Sequence, residues 1–191
     1  KNFDYQTPTR LVFGKGVVND KLESVMNQYG KRVLVTYGGG SIKRKVAGHA
    51  KSLYEEVMDI LAGKEVYELP GIQPNPKFRP SVLEGVRLCQ EYQIDVILSV
   101  GGGSVLDCTK AIAGVAGTLE GKVYDQVEEA WDIVRGLRPT TAAVPIVDII
   151  TMAATGSEYD SGGDRSRTET KDKLPYISPI DYTSINFIYT T

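Results

Sequence analysis

The sequence predicts an α/β fold in which a parallel sheet carries helices on both faces, and three observations predict it. Residues 32–37 and, after Asp95, residues 96–100 are almost continuously apolar rather than alternating, as strands covered on both sides are. Between such runs, apolar residues recur at spacings of three and four, the period of an amphipathic helix. Two of the strands end in glycine triplets, Gly38-Gly39-Gly40 and Gly101-Gly102-Gly103, and a sheet of this kind binds ligands at the carboxyl ends of its strands.

The elements follow in order. Residues 4–6 and 10–13, separated by Thr7-Pro8-Thr9, predict an N-terminal β-hairpin closed by Gly14 and Gly16. Leu22, Val25, Met26 and Tyr29 mark a first helix, with Asn19 or Asp20 as its cap and Gly30 as its stop. After the strand at 32–37, Leu53, Val57, Ile60 and Leu61 mark a second helix, stopped by Gly63 and followed by a short strand at 66–69. His49 is placed in that helical region. Residues 70–76, rich in proline and glycine, form a loop. A third helix, marked by Val82, Val86 and Cys89, leads into the strand at 95–100, and Val105, Cys108, Ile112 and Val115 stripe a fourth, with Ser104 as its cap. Residues 126–134 are predicted helical, and residues 142–146, or beyond, are predicted to form another strand. Residues 160–173 are polar without apolar periodicity and predict an exposed loop or disorder. Residues 183–191 read as a strand with no obvious partner.

Composition narrows the function classes. The chain has 191 residues, 41% hydrophobic and 24% charged, which suits one α/β domain with a sizeable core. A formal charge of −2 offers no basic surplus for nucleic acid. No apolar segment approaches the ~20 residues of a membrane helix, and the N-terminal residues lack the apolar core of a signal peptide. The protein is expected to be soluble and cytoplasmic. Cys89 and Cys108 lie on apolar helix faces without metal spacing, so buried reduced thiols are expected.

The glycine triplets carry the chemistry. At Gly101-Gly102-Gly103-Ser104 the missing Cβ atoms let the backbone approach an anion, and the first amides of the next helix add the positive end of its dipole. The alternative is a tight turn with no ligand, although a turn alone rarely needs three glycines. The run is not the common dinucleotide fingerprint, since Leu106 stands where a third spaced glycine belongs. At the other triplet no acidic residue is present to hold a ribose diol. Glycine amides, Ser41, Lys43 and Arg44 suit a phosphate monoester instead, which predicts NADP(H) as cofactor. The alternative there is a solvated basic helix start. Ala153-Ala154-Thr155-Gly156-Ser157-Glu158 is a small-residue turn whose hydroxyls suit a pyrophosphate or a nicotinamide amide, or else a plain loop.

Taken together, Phe13-Gly14-Lys15-Gly16, residues 37–43, Pro74-Asn75-Pro76, residues 95–110, residues 153–158 and residues 169–173 resemble the iron-containing (group III) alcohol dehydrogenases, in particular their NADPH-dependent butanol dehydrogenase branch. The resemblance covers about the first 175 residues. It implies a Rossmann-like, dehydroquinate synthase-like nucleotide domain at residues 1–175, with 176–191 a divergent tail or the start of a helical metal-binding domain. It further implies that Gly101, Gly102, Gly103 and Ser104 hold a pyrophosphate and Asp107 the nicotinamide ribose. Gly39, Gly40 and Ser41 would take the adenosine 2′-phosphate, while Asn75, Thr155, Ser157 and Lys173 would make further cofactor contacts. Asp107 also has a purely structural reading, a carboxylate favoured by the helix dipole.

The family holds a divalent metal, iron or zinc, on one aspartate and three histidines, so that metal is expected only in a full two-domain enzyme. This chain has one histidine, His49, and Ser184-Ile185-Asn186-Phe187 where relatives carry the aspartate; Asp181 is nearby but out of register. No catalytic residue can be named. The leading expectation is the cofactor-binding half of a dehydrogenase acting on small aldehydes and alcohols, with a homodimer as its assembly. A non-catalytic nucleotide-binding module is the alternative, and a lyase or phosphate-ester dehydrogenase of the same wider fold is a weaker third.

Overall fold

The computed structural model describes residues 8–154, 156–160, 162–167, 172–177 and 183–189, with 162–167 and 172–177 described by their backbone alone. In chain order the elements are β1 (Arg10–Phe13), α1 (Val17–Met26), β2 (Arg32–Tyr37), α2 (Leu53–Ile60), β3 (Glu65–Leu69), α3 (Leu83–Tyr92), β4 (Val96–Gly102), α4 (Gly103–Thr118), α5 (Val127–Val134), β5 (Ile146–Met152), β6 (Gly162–Arg167), β7 (Asp172–Ile177) and β8 (Ile185–Ile188). Six strands form one parallel sheet in the order β1-β8-β5-β4-β2-β3, and β6 pairs with β7 antiparallel.

Alternation within each strand divides the core in two. Val33, Val35, Leu98, Val100, Val147, Ile149 and Phe187 face α1 and α2, which contribute Leu22, Val25, Met26 and Val57. Leu34, Ile97 and Ile146 face the other way, onto α3, α4 and α5 with Val86, Ile112 and Trp131. The Trp131 ring packs 5.0 Å from that of Phe78. Each aliphatic side chain so enclosed contributes about 1.5–3 kcal/mol, and the sheet is thereby sealed on both sides. Helix α2 starts from a capping box in which Ser52 Oγ accepts from the Glu55 amide and Glu55 Oε2 accepts from the Ser52 amide. Each bond satisfies an amide that the helix cannot.

Several expectations are corrected. The fourth strand runs on through Gly102, so Gly102 is the N-cap of α4 and Ser104 lies inside its first turn. The strand expected within 142–146 begins at Ile146 and continues to Met152. The polar stretch 160–173 is not all loop, because residues 162–167 form β6 and its ladder with β7 satisfies the backbone without apolar alternation. Strand β8, read as lacking a partner, has two: it lies between β5 and β1, with Ile185, Asn186 and Phe187 buried. Of the N-terminal hairpin, residues 4–6 lie outside the described residues, and residues 10–13 are the sheet's edge strand, parallel to β8. His49 precedes α2 in a turn rather than lying within it. Cys89 and Cys108 are buried and unbridged, as expected, and burial pushes the Cys89 thiol up to about 12.

The chain leaves β2 outward to β3 and then crosses back, placing β4 on the other side of β2. That reversal opens a crevice above the carboxyl ends of β2 and β4. Both glycine triplets stand at its rim.

Candidate functional site

One wall of the crevice is the junction of β4 and α4. Pairing with β5 shifts register between Gly101 and Gly102, so the strand breaks from its ladder where the helix begins. A Cβ on Gly101 would lie 2.7 Å from Val105 Cγ2, so this glycine lets the first turn of α4 pack onto the strand. Gly102 is different. The nearest atom to its would-be Cβ is Met152 Cε at 4.0 Å, leaving open space beside its backbone. No side chain caps α4, and a 16-residue helix carries roughly half a positive charge at this end. Gly103 and Ser104 are half-buried in the first turn, and Asp107 follows one turn on. Open backbone, uncapped amides and a helix dipole together fit an anion such as a pyrophosphate.

The second wall is the loop after β2. Gly39 is exposed with nothing near its would-be Cβ, and Gly40 turns the chain at φ 108°, a conformation that favours glycine. Ser41 then opens a short 3₁₀ turn through Lys43. Two adjacent cations of this loop, Lys43 and Arg44, part company. Lys43 Nζ sits 4.3 Å from the ring centre of Tyr54 and 4.9 Å from that of Tyr37, and both tyrosine hydroxyls donate to Glu68 Oε1 at 2.9 Å. The Tyr37 hydroxyl, with smaller help from Tyr54 and Glu68, raises the Lys43 pKa. Arg44 instead lines an open cleft of about 670 Å³ with Ser41, Thr151, Met152 and Tyr189. Asn75 is exposed at φ 54° in the loop after β3, which is pinned to the end of β2 by Gly71 N donating to Gly38 O and Ile72 N to Tyr37 O.

The third wall follows β5. Met152 pairs with Gly102, and Ala153 and Ala154 are exposed beyond it. Thr155 lies outside the described residues. Ser157 is buried in the turn that follows, and Lys173 belongs to β7, opposite Ser166 in the ladder. The structure thus gathers Gly39, Gly40, Ser41, Gly101, Gly102, Gly103 and Ser104 at one sheet edge, with the Asn75 loop fastened beside them. Sequence reasoning passed over Lys110, Asp148 and Asn186, all fully buried. For Asp148 and Asn186 the signal was a polar residue inside an apolar run, most plainly Asp148 between Val147 and Ile149.

Asp148 sits in register between Ser99 on β4 and Asn186 on β8. Neither of its oxygens has a hydrogen-bond partner among the described residues. Burial pushes its carboxyl up to about 8, while Ser99 and Lys110, near enough to favour the charged form, pull the other way and lose.

Residues 8–186 match the family described as iron-containing alcohol dehydrogenase. The chain belongs to that family. It is 44% identical over 190 residues to the probable NADH-dependent butanol dehydrogenase 1 of Bacillus subtilis, covering 98% of this chain and 45% of that one. It is 38% identical over 178 residues to the NADPH-dependent aldehyde reductase YqhD of Escherichia coli, covering 93% and 42%. The solved structure of NADH-dependent butanol dehydrogenase A from Thermotoga maritima superimposes with a TM-score of 0.83 at 35% identity, over 99% of this chain and 44% of that one. The chain spans less than half the length of the curated relatives it matches. Among the described residues of this family member no group of three or more His, Cys, Asp or Glu side chains could hold a metal ion, and no helix is long and apolar enough to cross a membrane.

Proposed function

We propose that this chain is the NADP(H)-binding part of a metal-assisted alcohol dehydrogenase that interconverts small aldehydes and primary alcohols by hydride transfer. One observation carries the cofactor reading: the open, uncapped start of α4 stands at the sheet's reversal point, at the carboxyl end of the strand next to the one that leads into the Gly39–Gly40 turn. The amides of Gly102, Gly103 and Ser104 receive the pyrophosphate, and Asp107 holds the nicotinamide ribose. Gly39, Gly40 and Ser41 take the adenosine 2′-phosphate, with Arg44 as its cation because Lys43 is held against the tyrosines. Asn75, Thr155, Ser157 and Lys173 complete the cofactor contacts. NADPH, when bound, supplies the hydride for the carbonyl carbon. The divalent metal, iron or zinc, finds no donor set among the described residues.

Fluorescence titration of the chain with NADPH and NADH tests both levels of this reading. Tighter binding of NADPH is expected. Tighter binding of NADH overturns the preference, which the relatives' names divide on, and binding of neither overturns the cofactor assignment.

A further inference from the structure

Lys110 is fully enclosed within α4. Taking an ammonium group out of water costs several kcal/mol, and a methionine of similar length would fill the same space at no such cost. Three of the bonds that offset this expense come from one short segment, the turn at residues 156–160. Nζ donates to the Ser157 carbonyl at 2.5 Å and to both the carbonyl and the carboxylate of Asp160 at 2.7 Å. From the opposite side Asn186, also fully buried, donates Nδ2 to the Glu158 carbonyl. Two side chains from separate elements therefore hold the inward carbonyls of 157, 158 and 160. A connection serving only to join β5 to β6 has no need of a buried charge beneath it.

The placement of that charge links two walls of the crevice. Lys110 lies seven residues into α4 from Gly103, about 10 Å along a rigid helix whose first turn supplies the anion-binding amides. Asp148 is the other buried group within electrostatic reach of Lys110. It makes no hydrogen bond among the described residues, whereas the ammonium donates to the turn.

We propose that Lys110 is a positioning residue which fixes the turn after β5 relative to the start of α4, and so sets the gap that the nicotinamide half of the cofactor must fill. This rests on the nucleotide reading above. The adenosine half, held by the loop after β2 and the first amides of α4, does not depend on it.

Two probes separate the halves: NADPH, and adenosine 2′,5′-bisphosphate, which lacks the nicotinamide riboside. In Lys110→Met the dissociation constant for NADPH is expected to rise roughly tenfold, as for loss of a charge-assisted hydrogen bond, with that for the bisphosphate unchanged. Asp160→Ala, at a side chain about half exposed, removes one anchor without touching the core. It is expected to show the same selective loss at smaller size, and it decides the matter if Lys110→Met does not fold. Equal weakening of both probes marks Lys110 as scaffold only and overturns the proposal, as does no change in either. If the unsubstituted chain binds neither probe, the nucleotide reading itself has failed, and this is seen before any variant is made.

Discussion

Two adjacent glycines make opposite predictions. Gly101 has Val105 Cγ2 at 2.7 Å from any added Cβ, whereas Gly102 has open space and an ordinary φ of −87°. Gly101→Ala should therefore destabilise the fold by about 1–3 kcal/mol through overpacking, read as a lowered urea midpoint. Gly102→Val should leave that midpoint nearly unchanged while weakening NADPH binding by roughly tenfold or more, because its side chain occupies the space where the pyrophosphate reaches the amides. Lys43 and Arg44, adjacent in the loop after β2, divide in the same way. Arg44→Ala is expected to weaken NADPH by roughly tenfold and leave NADH alone, and Lys43→Ala to change neither. Titration of all four variants with both nucleotides checks these outcomes. The glycines were legible because their function lies in what they lack. Lys110 was not, because a lysine in an amphipathic helix ordinarily reads as solvated, and only the fold shows that the turn after β5 closes over it.

Elements built from apolar periodicity were legible, while those built from pairing were not. Strands β2 and β4 announce themselves because both faces are covered, so nearly every position is apolar. Strand β6 reads Gly-Gly-Asp-Arg-Ser-Arg and offers no such signal, since a two-stranded ladder is closed by backbone hydrogen bonds that any sequence can make. The helix pair α3 and α4 packs closely at Gly85, where an added Cβ would lie 2.3 Å from Ile112 Cδ1. Gly85→Ala should cost about 1–3 kcal/mol despite the better helix propensity of alanine, because Ile112 is fully buried and has little room to yield. Chemical denaturation is the measurement. The bare spacing of apolar residues places both helices correctly and says nothing of this close contact.

For the molecule as a whole, Asp148 ties stability to pH. Its carboxyl titrates near 8 in the fold against an ordinary value of 3.8, so the unfolded chain releases its proton first as pH rises. Its stabilising contribution is complete below the ordinary value and declines by about 1.4 kcal/mol per pH unit up to about 8; it is flat above. Asp148→Asn should remove that decline, so its advantage over the unsubstituted chain grows between pH 5 and pH 8 in urea midpoints. A difference that stays flat over that range would show the carboxyl ionised and paired instead. The sheet also has an order of assembly. Strand β8 is wedged between β5 and β1, so β1, the first of the described strands, waits for β8, the last of them, before it has a neighbour. On a ribosome, which issues the chain from its amino end, β1 and β5 present bare edges until residue 188 emerges, and contacts of such long range form slowly. Exposed edges recruit other chains. A nascent polypeptide released short of β8 is therefore expected to aggregate rather than settle into a smaller version of the domain.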